Sequence, residues 1–122
     1  MFRIGEFSKL TQVSIRMLRY YDEVGLLKPA EVDKWTGHRM YSVTQIPRLN
    51  RILYLRDSGF LVSEIALALE MNDRLLLETL EKKRLEIEQT IQNEQEKIRK
   101  IAIAKSEIQE KKGELHYNIS IK

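Results

Sequence analysis

Apolar residues recur at helical intervals through most of this chain, give way to an extended stretch around residue 35, and then resume. Ile4, Phe7 and Leu10 fall at i, i+3 and i+6, which predicts a short helix over residues 4–10. Thr11-Gln12-Val13 reads as a turn, and Ser14 as the N-cap of a second helix. That helix stops near Gly25, a residue suited to the left-handed conformation after a helix end. Leu26 and Leu27 then fold back onto the core, and Pro29 blocks any helical continuation. Residues 30–42, AEVDKWTGHRMYS, carry a Thr-Gly turn between two extended-capable segments and predict a small β-hairpin.

The helical period returns at Thr44, with Ile46, Leu49, Ile52, Leu53 and Leu55 on or near one face. Thr44 is the expected N-cap, and Pro47 sits within the first turn, where its missing N–H does little harm. Gly59 ends this helix, and VSEIALALE forms a fourth after the small loop Ser58–Leu61. From Asp73 to Lys112 there is neither proline nor glycine. Leu80, Ile87, Ile91, Ile98, Ile101 and Ile108 follow one another at steps of 7, 4, 7, 3 and 7, with Arg84, Glu94 and Lys105 at the intervening positions. This is a heptad seam with polar interruptions. A helix of about 40 residues is roughly 60 Å long and too narrow to bury its own stripe, so it calls for a partner helix. After Gly113, Leu115, Tyr117, Ile119 and Ile121 alternate with polar residues, the period of a strand, with a frayed polar tail as the other reading. The chain thus divides into a head over 1–71, a long helix over 72–112 and a tail over 113–122.

Composition narrows the chemistry. With no cysteine among 122 residues, disulfides, thiolate metal sites and thiol redox sensing are all excluded. No apolar run approaches the roughly 20 residues that span a bilayer. The N-terminus, MFRIGEFSKL, lacks a signal peptide's apolar core, so a cytoplasmic location and no membrane partner are expected. Residues 1–60 carry ten Lys/Arg and six Asp/Glu, 10 − 6 = +4, whereas residues 61–122 carry eleven and twelve, 11 − 12 = −1. A basic front half on a balanced extension suits a polyanion-binding head, although ordinary surface charge gives the same sums.

On a helical wheel the stretch SIRMLRYYDEVGLL separates into two faces. Met17, Leu18, Tyr21 and Val24 make a core face, while Arg16, Arg19, Tyr20 and Glu23 point the other way. Guanidinium groups grip phosphates or pair bidentately with guanine, and a tyrosine hydroxyl suits a phosphate oxygen. Ser14 leaves the N–H groups of the helix start open to a phosphate. Helix, short turn, helix in this order has the dimensions of a helix-turn-helix. In the hairpin, Arg39 and Tyr41 share one strand face and Met40 takes the other, so the hairpin reads as a wing. Trp35 at its tip either packs on a neighbouring loop or touches DNA or a partner.

The stretch IGEFSKLTQVSIRMLRYYDEVGLLKPA, followed by TGHRMYS, TQIPRLNRI and RDSGFLVSEI, resembles the MerR family of transcription regulators, from about Ile4 to Leu69 with the long helix continuing it. The resemblance implies a mostly α fold: a winged helix-turn-helix domain with a small β-hairpin wing, and a long helix that forms an antiparallel coiled-coil homodimer. It implies two heads on the half-sites of a palindromic promoter in double-stranded DNA. It further implies distortion of an over-long spacer, so that RNA polymerase engages indirectly, through the promoter, when an effector signal arrives. Mapped by position, it assigns DNA contact to Arg16, Arg19 and Tyr20, then to Arg39 and Tyr41 in the wing, with Arg56 near phosphate beside a second wing at Ser58–Leu61. Leu61 departs from the family, where a capping residue is common.

Relatives that sense metals or redox state are similar in using cysteines near the end of the long helix, and this chain has none. His38 and His116 are far apart and without ligand-spaced neighbours, so neither a metal site nor a cofactor is expected. The tail HYNISIK resembles the first strand of a gyrase-inhibitor-like domain that binds bulky drugs. On that reading a small-molecule effector acts through a missing C-terminal domain; the alternative is a naturally short member that takes its signal from another protein. An enzyme is not expected, because no phosphate-cradling loop or nucleophile motif is present. Two other classes compete: a DNA-architectural factor of the excision type, which usually lacks a long dimerisation helix, and a coiled-coil protein-interaction adaptor, which predicts no affinity for duplex DNA.

Overall fold

In a computed structural model of the chain, which describes the backbone of residues 1–121 and the side chains of residues 1–112, two compact units are present, Met1–Leu76 and Leu77–Lys122. The first holds strand β1 (Phe2–Arg3), helices α1 (Ile4–Thr11) and α2 (Ile15–Glu23), strands β2 (Glu31–Val32) and β3 (Arg39–Tyr41), and helices α3 (Ile46–Asp57) and α4 (Val62–Leu69). Helix α5, Asp73–Ile121, starts in the first unit and makes up the second.

The predicted hairpin is present, and a third strand that the pattern did not show completes a sheet of order β1-β3-β2. Both pairings are antiparallel, with Phe2 opposite Tyr41 and Val32 opposite Arg39. Two residues are too few to display alternation, so β1 was not legible. Phe7 of α1 stacks on Tyr41 of β3 at 4.8 Å between ring centroids, and both rings are fully buried. With Leu18, Leu26, Leu27, Leu49, Ile52, Leu55 and Ile65 they form the core.

Local chemistry sets the helix ends. Ser14 Oγ accepts the Met17 N–H at 3.1 Å, the expected cap of α2. The helix ends at Glu23, Gly25 adopts φ +79°, and the Leu26 N–H donates back to the Tyr21 carbonyl at 2.8 Å. Arg48 Nε then donates to the Leu26 carbonyl at 2.7 Å and Gln45 Nε2 to the Lys28 carbonyl at 2.6 Å. Arg48 is therefore a structural donor. At the start of the next helical segment the cap is Ser42, not Thr44: Ser42 Oγ accepts the Thr44 N–H at 3.2 Å and Gln45 Oε1 accepts the Ser42 N–H at 3.0 Å. The chain makes a turn of 3-10 helix over Val43–Gln45 before α3, which moves the cap two residues upstream. At α4, Leu61 offers no hydroxyl, yet its backbone N–H donates to Glu64 Oε1 at 2.8 Å, which is half of a capping box.

Helix α5 confirms a long uninterrupted helix and runs further than the pattern predicted. It continues through 115–121, where alternation offered a strand beside the reading of a frayed tail, so the strand reading is corrected; side chains there lie outside the described residues. With no proline and a single glycine after residue 73, nothing in the backbone stops the helix. Ile87, Ile91, Ile98, Ile101 and Ile108 are all exposed, and Leu80 is half-buried. Same-helix ion pairs stud the seam's interruptions and its flanks: Arg84 with Glu81 and Glu88, Lys97 with Glu94, and Arg99 with Glu96. Among the described residues no helix is long and apolar enough to cross a membrane.

Candidate nucleic-acid interface

The two faces of α2 are as the wheel predicts, except at its end. Leu18 and Tyr21 are buried and Met17 is half-buried, but Val24 is exposed because it lies past the last helical turn. Arg16, Arg19, Tyr20 and Glu23 all face solvent. The neighbouring tyrosines have separate environments, Tyr20 being 40% exposed and Tyr21 2%, although their tilted rings lie 6.1 Å apart. Ser14 is exposed at the helix start.

An ion pair fixes the hairpin against α2. Arg39 Nε lies 3.0 Å from Asp22 Oδ2, and Lys28 Nζ lies 3.4 Å from the other oxygen of the same carboxylate. Arg39 keeps nearly half of its side chain exposed and available to a second anion. Tyr41 differs from the expectation. Its ring lies in the core against Phe7, not beside Arg39 on an open face, because β3 is covered by α1. Its hydroxyl is buried without a hydrogen-bond partner, and burial, followed by the nearby Asp22 charge, pushes its pKa up. Tyr41 therefore leaves the DNA-contacting set.

Arg56 is also engaged within the protein. Its Nη1 donates to the Tyr21 hydroxyl at 3.1 Å, and its Nε and Nη2 donate to Asp57 Oδ1 at 3.0 and 2.9 Å. It ties the end of α3 to α2 and so positions the helix that carries Arg16 and Arg19. Two cations that sequence reasoning did not single out border the same region. Arg3 and Lys9, with Ile4, Ile15, His38 and Arg39, line a groove of about 520 Å³ between α1, the start of α2 and the hairpin. No local pattern marks them: the pairing of β1 with β3 brings Arg3 to the hairpin, and Lys9 reaches the groove from α1. Among the described residues no group of three or more His, Cys, Asp or Glu is placed to hold a metal.

The hairpin tip is ordered by Asp33. Its Oδ1 accepts the N–H groups of Trp35 at 2.8 Å and Thr36 at 3.0 Å, and these two backbone bonds lower its pKa. Gly37, at φ +73°, supplies the left-handed residue that the turn needs. Trp35 is 94% exposed, which removes the reading in which it packs on a neighbouring loop.

Comparison with known proteins identifies similar chains. The multidrug-efflux transporter 1 regulator of Bacillus subtilis is 45% identical over 74 residues, covering 59% of this chain and 27% of the relative. The EcmrR–DNA complex solved by cryo-EM is similar with a TM-score of 0.65 at 36% identity, over 75% of this chain and 34% of that one. A MerR-family regulator of Bacillus cereus gives a TM-score of 0.62 at 30% identity, over 82% of this chain and 73% of that one. The chain spans about a quarter to a third of the length of the first two. Residues 2–72, more than half of the chain, match the MerR HTH family of regulatory proteins. Regulators of this kind are not enzymes. With a winged helix-turn-helix head, an outward basic face on its second helix and this match, the chain belongs to the MerR family of transcription regulators.

Proposed function

We propose that the chain binds double-stranded promoter DNA in a sequence-specific manner as a homodimer, and regulates transcription by distorting the DNA between two half-sites. The observation that carries this reading is the joint presentation of the outward Arg16, Arg19 and Tyr20 of α2 with Arg39 of the hairpin, held together by the Arg39–Asp22 ion pair. Ser14 and the start of α2 offer N–H groups to a phosphate. Arg16 and Arg19 reach the major-groove edges or the backbone, and Arg39 meets the flanking phosphates. Arg56 acts by holding Tyr21.

The second half of the proposal concerns α5. Its exposed isoleucines at Ile87, Ile91, Ile98, Ile101 and Ile108, with Leu80, form the face of an antiparallel coiled coil with a second copy. Two heads fixed by one two-fold axis match a palindromic site. RNA polymerase is engaged through the distorted promoter, and a small-molecule effector acts through a further domain of a longer protein. Selection of bound sequences from a random duplex pool tests the reading. An inverted repeat is the expected product, and a pool with no enrichment would sink it in favour of the adaptor class.

A further inference from the structure

We propose that Trp35 is a DNA-contacting residue whose indole packs into the minor groove beside the half-site met by α2. The inference rests on the DNA-binding reading above and adds to it a contact of a different kind. Trp35 is the most exposed large hydrophobic side chain among the described residues, at 94%. An indole carries about 150–250 Å² of surface that would be stabilised by burial, and here almost none of it is buried.

The indole is not carried on a loose loop. Asp33 Oδ1 holds the backbone N–H of Trp35 and Thr36, the Asp33 N–H donates to the His38 carbonyl at 2.9 Å, and the Gly37 N–H donates to the Asp33 carbonyl at 2.9 Å. Much of the entropy of ordering the tip is therefore lost before any partner arrives. The same hairpin is pinned to α2 through Arg39 and Asp22, so its tip is held in fixed relation to the helix that meets the major groove.

Charge points to an apolar contact. At the tip itself Asp33 offsets Lys34, so the apex brings no net charge to a polyanion, while Arg39 stands below it on β3. What the tip offers is a flat apolar group on a narrow two-stranded support. Minor grooves accept such groups between sugar edges and at partly unstacked base steps.

Trp35 is the single tryptophan of the chain, so its emission reports on this position alone. The full chain is titrated with the duplex recovered by selection, with tryptophan emission and the anisotropy of a dye on the DNA followed together. Emission should change, and acrylamide quenching fall, in step with binding. Trp35→Ala should weaken binding about tenfold, or about 1.4 kcal/mol, and Trp35→Phe should recover most of the loss. The slope of log affinity against log salt should not change, because no phosphate contact is removed. Binding by anisotropy with unchanged emission and quenching, or wild-type affinity in Trp35→Ala, overturns the proposal and leaves the DNA reading standing. An emission change that requires RNA polymerase and not DNA alone overturns it too, since it places the indole against protein. Failure to bind any duplex removes the DNA reading itself, and this proposal with it.

Discussion

Arg39 Nε sits 3.0 Å from Asp22 Oδ2, joining the hairpin to the helix that bears the outward arginines. An ion pair this exposed contributes little to stability by itself. Its value lies in orientation, because it aims the Arg39 side chain and the strand that carries it.

Two substitutions separate aiming from contact. Arg39→Ala should weaken binding to all duplexes and lower the slope of log affinity against log salt by about 1. Asp22→Asn removes the aiming partner and leaves the cation, so affinity should fall by less than in Arg39→Ala and the salt slope should stay that of the wild type. Equal losses in both variants would assign Arg39 to positioning and take it out of the phosphate contacts.

The buried Tyr41 hydroxyl has no partner in the structure, so its desolvation is uncompensated. Tyr41→Phe should leave DNA affinity unchanged and keep or raise unfolding stability, by up to about 1 kcal/mol in urea titrations. Tyr41→Ala should cost about 3–5 kcal/mol, because the stack on Phe7 is lost. A loss of affinity in a fully stable Tyr41→Phe would return that hydroxyl to the DNA interface.

Acid should loosen the hairpin tip. Asp33 is more acidic in the folded chain than its ordinary value of 3.8, since it accepts the Thr36 and Trp35 N–H groups. A depressed carboxylate stabilises the fold fully above its unfolded pKa, and that support is lost as pH falls through the lower folded value. Amide exchange at Trp35 and Thr36, corrected for intrinsic rates, should therefore be slow above the ordinary value and quicken below it. Asp33→Ala should show fast exchange throughout. Protection that is indifferent to both pH and the substitution would mean the carboxylate does not order the tip.

Replacing Ile91 and Ile98 together by Asp should yield a monomer in sedimentation and abolish binding to an inverted repeat. Both side chains are exposed in the single chain, so the monomer should remain helical. A persistent dimer would move the pairing face to another stretch of α5, with Leu85 and Ile103 the next exposed apolar residues to replace.

What the sequence made visible was whatever repeats over several turns or carries its own capping chemistry. The faces of α2 and the long helix α5 show through periodicity, and the start of α2 through the Ser14 hydroxyl. Partnerships across the fold did not. Tyr41 and Arg39 share a strand face by alternation, but only the packing of α1 over β3 decides that one of them is covered. Likewise, Arg48 and Arg56 look like surface charge or phosphate ligands until the Leu26 carbonyl and the Tyr21 hydroxyl are seen to occupy their donors. Strand alternation misled in the tail, where a short alternating run lies on a continuing helix.

The two donors from α3 have a consequence for how the head comes apart. Arg48 grips the carbonyl of Leu26, just beyond α2, and Arg56 grips the Tyr21 hydroxyl within it. Fraying of α2 therefore has to break bonds to α3 as well as its own, which makes the two helices one cooperative unit of local opening. The core amides of α2 should exchange at the rate of those of α3, its support.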